Sequence, residues 1–218
     1  AGTHPSYHAG CRPRPPPWLR SPPAVVSPPT IVCRERARRV RPPPRYSPRP
    51  VSLVHSFPPV LPVAARVLIV GSMPGAASLA AARYYAHPRN GFWPIVGAIC
   101  GFDPDADYDV RTAALRGCGI ALWDVLQRCR RRGSLDSAIE ADDRAVNDFA
   151  ALFAAQPALG TVLCNGGTAH DLFVRLVLPT LPRRPEVMRL PSTSPAHAAK
   201  TAAQKLAAWR TALAPLLA

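Results

Sequence analysis

The stretch "ARVLIVGSMPG", Ala65–Gly75, decides the fold. An apolar run, Val67–Val70, passes directly into a turn built on Gly71, Pro74 and Gly75, which is the usual opening of an α/β unit. The same strand-to-turn construction recurs in "LGTVLCNGG" (159–167) and "EVMRLPSTSPAHA" (186–198), and "GIALWDV" (119–125) reads as a further strand. Helical patterns lie between them. "NGFWPIVGAICG" (90–101) is closed by Gly101, and "FDPDADYDVRTAALRGC" (102–118) reads as a turn followed by a helix. Helical periodicity continues over Asp142–Leu152, 168–179 and 198–217, and "SLAAARYYAH" (78–87) is a short helix or an irregular loop. Strands alternating with helices predict a three-layer α/β/α domain with a mainly parallel sheet, its ligand loops at the strands' carboxyl ends.

Outward from that core, composition bounds the rest. The chain has 218 residues, 48% of them hydrophobic, enough for one full-sized core. Residues 1–60 hold sixteen of the twenty-eight prolines, with ten arginines against Glu35 alone. Such a segment supports neither helices nor a central strand, so a disordered basic extension is expected there, with the folded domain running from 61 to 218. Its loss is expected to leave the chemistry unchanged. The formal net charge of +14 favours a polyanionic partner, nucleic acid or an anionic membrane surface, and residues 61–218 carry only +5 of it. The arginine run "RCRRRG" (128–133) reads as a solvated helix end. Six cysteines without a C-x-x-C pair suit a reducing, cytoplasmic setting, and a soluble protein is expected from the lack of a long apolar run or signal-like start.

Several chemistries are excluded by pattern. The first turn lacks the G-K-[ST] of a P-loop and the spacing of a dinucleotide fingerprint. His87, His170 and His197 are scattered and form no metal motif, and no G-x-S-x-G nucleophile elbow occurs. "STSPAH" (192–197) reads as a helix N-terminus whose hydroxyls and backbone N–H groups suit a phosphate.

Four blocks taken together are specific: "GSMPGAASL…YYAHPRNGFW", "GIALWDVLQRCRRRGSLDSAI", "NGGTAHDLF" and "LPSTSPAHA". In this order, over about Val67–Arg210, the chain resembles the uracil-DNA glycosylase superfamily, nearest to its DNA-deoxyinosine (hypoxanthine-DNA) glycosylase branch. The resemblance implies a short four-stranded, mainly parallel sheet and a monomer that needs no metal and no cofactor. It also implies excision of a deaminated purine from single- or double-stranded DNA, with no role for a membrane. Uracil or xanthine as the target base, and a non-catalytic nucleic-acid-binding module of the same fold, are the alternatives.

The same resemblance distributes roles. Met73 stands where much of the superfamily has a water-positioning Asp or Asn, and a thioether cannot activate water. That function passes to Asn90, with Asn165 the second functional Asn; loop shaping is the competing explanation for each. Asp124 occupies a base-reading position, where a carboxylate can accept from the N1–H of hypoxanthine; helix capping is the competing explanation. Gly71, Met73 and Tyr85 complete the base pocket, Tyr84 being the other candidate for stacking on the ring. Ser192, Thr193 and Ser194 are expected to hold flanking phosphates. Leu190 stands where the best-known uracil enzymes have a His, which removes that source of leaving-group assistance, and His197 is a weak substitute. Phe92 and Trp93 are expected in the core.

Overall fold

The computed structural model describes residues 51–217, all within one compact unit. Its elements are β1 (Val51–His55), β2 (Val67–Gly71), α1 (Ala76–Ala81), α2 (Phe92–Cys100), α3 (Tyr108–Gly117), β3 (Ile120–Asp124), β4 (Leu126–Arg132) and β5 (Ala145–Val146). They continue through α4 (Phe149–Ala155), β6 (Thr161–Asn165), α5 (Gly167–Leu172), β7 (Glu186–Leu190) and α6 (Ala202–Leu217).

The strand read from Val67–Val70 is the centre of a four-stranded sheet ordered β3-β2-β6-β7, parallel at every pairing. Side-chain alternation divides the core into two layers. Val67, Ile69, Ile120, Leu122 and Leu163 meet α2, α3 and α6 through Phe92, Trp93, Leu115, Trp209 and Leu213. Leu68, Val70, Ala121, Val162 and Cys164 meet α4 and α5 through Phe149, Phe153 and Leu172. Helices therefore cover both faces, giving the expected α/β/α layering. The burial of this many large apolar side chains, each contributing about 1.5–3 kcal/mol, is the main stabilising term. Phe92 and Trp93 are core residues, as anticipated.

Four local expectations are corrected. "RCRRRG" is no helix end: Leu126–Arg132 is strand β4, with Leu126, Cys129 and Arg131 turned inward and Arg128, Arg130 and Arg132 outward. It joins a second, antiparallel sheet ordered β1-β4-β5. The helical periodicity over Asp142–Leu152 resolves into β5 and then α4, which starts at Phe149 because the Asp148 side chain caps it by accepting from the Ala151 N–H at 2.9 Å. "STSPAH" is a loop, and α6 begins only at Ala202. The fourth concerns the extension expected over residues 1–60. Residues 1–50 lie outside the described residues, but 51–60 are integral to the fold.

Here β1 pairs with β4 over five residues, from Val51↔Arg132 to His55↔Arg128. Val60 exchanges two backbone hydrogen bonds of 2.9 Å with Leu122 of β3. Phe57 packs edge-on against Tyr84, ring centroids 5.3 Å apart. Its carbonyl accepts from the Trp123 indole N–H at 3.1 Å. A chain lacking residues 1–60 is thus expected to lose about 2 kcal/mol relative to one lacking residues 1–50, counting the partial burial of Phe57 and Val60 alone. For a domain of this size that is a melting temperature lower by roughly 4–8 °C. Equal melting of the two truncations would contradict the integration of this segment.

Candidate active site

Because β2, β3, β6 and β7 run parallel, their carboxyl ends lie at one edge of the sheet, where the loops after β2, β6 and β7 meet. They enclose a cleft of about 460 Å³ whose lining includes Gly71, Met73, Tyr85, Asn90, Asp124 and Asn165, with Ser192–Ser194 at its side. The residues singled out in the sequence thus share one cavity.

Gly71 and Asp124 are register partners at the ends of β2 and β3. A β-carbon at Gly71 would stand 2.4 Å from Asp124 Oδ1 and 3.2 Å from the Tyr85 hydroxyl oxygen, so only glycine admits both polar groups here. Asp124 is 3% exposed. Its Oδ2 accepts from the Ser56 hydroxyl at 3.1 Å, and its backbone carbonyl from the Asn147 amide at 2.8 Å. Burial pushes the Asp124 carboxyl up to about 7; the Ser56 hydrogen bond and the Arg131 charge oppose that rise, and Asp136 adds to it. Since this value exceeds the unfolded one, Asp124's contribution to stability is full below about pH 4 and is lost as pH rises through about 7.

The Tyr85 hydroxyl is buried and has no partner at full hydrogen-bond geometry among the described residues, the Asn165 side chain being near enough only to temper its phenol, and such a state is costly unless a ligand supplies a partner. Burial, and then the nearby Asp124 charge, raises its phenol far above the ordinary value, so it remains a protonated donor. The ring is held by stacking on Phe92, centroids 3.9 Å apart, and the backbone adopts φ +54°. Tyr84, by contrast, points its hydroxyl at the carbonyls of Phe57 and Pro58 and supports the wall.

Asn90 precedes α2. Its Oδ1 accepts from the Phe92 N–H at 3.0 Å, which shapes the entry to the helix. One Oδ1 lone pair remains, and Nδ2 makes no hydrogen bond among the described residues, so the amide keeps donor and acceptor capacity toward the cleft.

Asn165 is differently employed. Its Oδ1 accepts from the Thr193 N–H at 2.8 Å and its Nδ2 donates to Thr193 Oγ1 at 2.9 Å. This two-point clasp fixes the loop after β7, and the Thr193 carbonyl in turn receives the Gly91 N–H at 3.0 Å, beside Asn90. Gly166, at φ +106°, lets the β6 turn pass against Ser192, where a β-carbon would lie 2.9 Å from the serine's own. Thr193 is 2% exposed and its Oγ1 accepts from Asn165, so burial rather than a lost donor limits its reach toward a phosphate. Ser192 and Ser194 keep half-buried hydroxyls: each Oγ accepts a backbone N–H two residues on, at 3.2 Å, leaving its hydrogen free to donate. Lys205 secures the same loop by donating to the Ser194 carbonyl at 3.2 Å.

Other residues at or behind the cleft were not anticipated from the sequence. Ser72 donates to Asp136 Oδ2 at 2.7 Å, and both line the cleft. Arg131, 1% exposed, reaches the Pro74 carbonyl through Nη2 and acts electrostatically on both the buried Asp124 and the half-buried Asp136. Burial raises the Asp136 carboxyl above its ordinary value, against the Ser72 hydrogen bond and the Arg131 charge. Asp136 sat inside the recognised block "GSLDSAI", which was the only signal for it. His197 and His87 also line the cleft. Among the described residues, no group of three or more His, Cys, Asp or Glu side chains could hold a metal ion, and no helix is long and apolar enough to cross a membrane.

The chain is similar to several known proteins. The family model of the uracil DNA glycosylase superfamily matches residues 58–214. A hypoxanthine DNA glycosylase of Methanosarcina barkeri is 40% identical over 111 residues, 50% of this chain and 69% of that protein. One from Methanosarcina acetivorans is 38% identical over 116 residues, 53% of this chain and 72% of its own. The solution NMR structure of a Methanosarcina acetivorans protein described as a candidate uracil DNA glycosylase superposes with a TM-score of 0.65. It is 31% identical, covering 76% of this chain and 99% of that one.

Proposed function

The chain belongs to the uracil DNA glycosylase superfamily, and on that premise we propose that it is a monofunctional DNA glycosylase that hydrolyses the N-glycosidic bond of deoxyinosine, releasing hypoxanthine and leaving an abasic site. The observation that carries the reading is the meeting of Asp124 Oδ1 and the Tyr85 hydroxyl over Gly71, in the cleft that Asn90 also lines. A carboxylate acceptor beside a neutral hydroxyl donor complements the N1–H and O6 of hypoxanthine. The names of the two Methanosarcina relatives point the same way.

In this mechanism the deoxyinosine leaves the stack and enters the cleft. Asp124 accepts from N1–H and Tyr85 donates to O6, a contact that strengthens as the departing base gathers negative charge. The C1′–N9 bond breaks with its electron pair on the base. Asn90 aligns a water whose oxygen adds to the cation-like C1′, and the water's surplus proton passes to the released base or to solvent. A neutral amide performs this alignment without taking the proton. Met73 supplies an apolar wall, and Ser192 and Ser194 hold the flanking phosphates. Asn165, through Thr193, keeps that loop and Asn90 in register.

Labelled duplexes carrying hypoxanthine, xanthine, uracil or ethenoadenine, incubated with the protein and then treated with alkali, test the proposal. Preferential strand breakage at hypoxanthine is expected. Uracil and xanthine share an N–H beside a carbonyl, and preference for either would reassign the substrate. Breakage at none would overturn the enzymatic reading and favour the non-catalytic binding module.

A further inference from the structure

Ser56 lies in the turn after β1, two residues before the span matched by the family model. Its backbone N–H is anchored on the Gln127 carbonyl at 2.8 Å. A serine hydroxyl has one hydrogen to give; Asp124 Oδ2 at 3.1 Å and the Phe57 carbonyl at 3.4 Å can take it, and the Tyr84 hydroxyl also interacts with the Ser56 side chain. That carbonyl already accepts from Trp123 Nε1 at 3.1 Å, and the Tyr84 hydroxyl, which divides its one hydrogen between this carbonyl at 3.3 Å and that of Pro58 at 3.2 Å, crowds its other side. The shorter, charge-assisted bond to Asp124 takes the hydrogen.

We propose that Ser56 is a positioning residue for base recognition: by occupying Oδ2 it turns Asp124 so that Oδ1 alone meets the flipped base, as an acceptor. The inference rests on the reading of Asp124 as base-facing and adds to it a group from outside the family-matched span. Hydrogen bonding to the ionised form favours that form, so Ser56 also holds Asp124 in the state that can accept from an N–H. The other groups facing Asp124 are Arg131 on β4, which acts in the same direction, and Asp136 in the turn after β4, which acts against it. Tyr84 and Tyr85, between α1 and α2, stay neutral. Ser56 itself also lines a separate depression of about 540 Å³ with His55, Gln127 and Arg128, so its far side is open to water.

The test has two readouts on the full chain. The Asp124 carboxyl carbon is titrated by NMR in the wild type, Ser56→Ala and Ser56→Thr, and single-turnover excision from a hypoxanthine duplex is followed against pH. In Ser56→Ala the Asp124 midpoint is expected to rise by about one unit, which lowers its ionised fraction at pH 7 from about one half to about one tenth. Excision at pH 7 should fall roughly fivefold and recover near pH 9. Ser56→Thr, which keeps the hydroxyl, should restore both. An unmoved Asp124 midpoint in Ser56→Ala overturns the proposal, whatever the protein excises. A shifted midpoint in a protein that excises nothing upholds the role of Ser56 toward Asp124 and counts against the glycosylase reading instead.

Discussion

Asn90→Ala is expected to lower single-turnover excision by about 10²–10³-fold, the range for removing one preorganised polar group from a transition-state site. Binding of the damaged duplex should change little, because the amide faces the reacting sugar rather than the base edge or the phosphates in this reading. Some stability should go too. Asn90 Oδ1 accepts from the Phe92 N–H at the entry to α2, and losing one such hydrogen bond costs about 1 kcal/mol. Asn90→Asp separates the two effects: the carboxylate keeps the acceptor for Phe92 but removes the Nδ2 donor. If the amide as a whole aligns the water, the Asp variant melts like the wild type yet excises slowly. Excision by Asn90→Ala within about threefold of wild type would mean that the residue only shapes its loop.

Gly71→Ala is expected to disable the cleft from the opposite wall. The added methyl would stand 2.4 Å from Asp124 Oδ1, and the carboxylate cannot swing freely because its other oxygen is held by Ser56. The Tyr85 hydroxyl, 3.2 Å from the methyl, is fixed by the stack on Phe92. Relief must come from displacing Asp124 or opening the β2–β3 edge, at about 1–3 kcal/mol of stability. Either movement separates the acceptor from the donor that are proposed to read the base. A loss of about 10²-fold or more in hypoxanthine excision is expected, together with weaker binding of the flipped base. Unchanged kinetics in a well-folded Gly71→Ala protein would show that the base sits elsewhere. A melting temperature equal to wild type would show that the methyl is accommodated.

The parallel sheet was legible because its four strands are short apolar runs, each followed by a turn, and because the helices between them keep a 3.6-residue period. Asp124, Asn90, Asn165 and Gly71 were legible through their blocks. What each does was less so. Asn165 spends one amide N–H and one Oδ1 lone pair on Thr193, a partner 28 residues away, which turns it toward holding the loop after β7. The strand at Val51–His55 was hidden among prolines, since "VSLVH" shows no clean alternation and gains its order from β4, about eighty residues later. β4 was hidden by its arginines: Arg131 faces inward with Cys129, between arginines that face out, so charge masked the period of two.

By itself, then, the sequence determined the layered architecture and the edge of the sheet at which the loops gather, because both follow from periodicities written locally along the chain. Tertiary structure alone decided that Ser56 bonds Asp124, that Asp136 and Arg131 support the first loop, and that Tyr85 holds its hydroxyl over Gly71. Those arrangements join residues 14 to 68 positions apart. Their energies come from desolvation and hydrogen bonds formed only when distant segments pack, which no local pattern records.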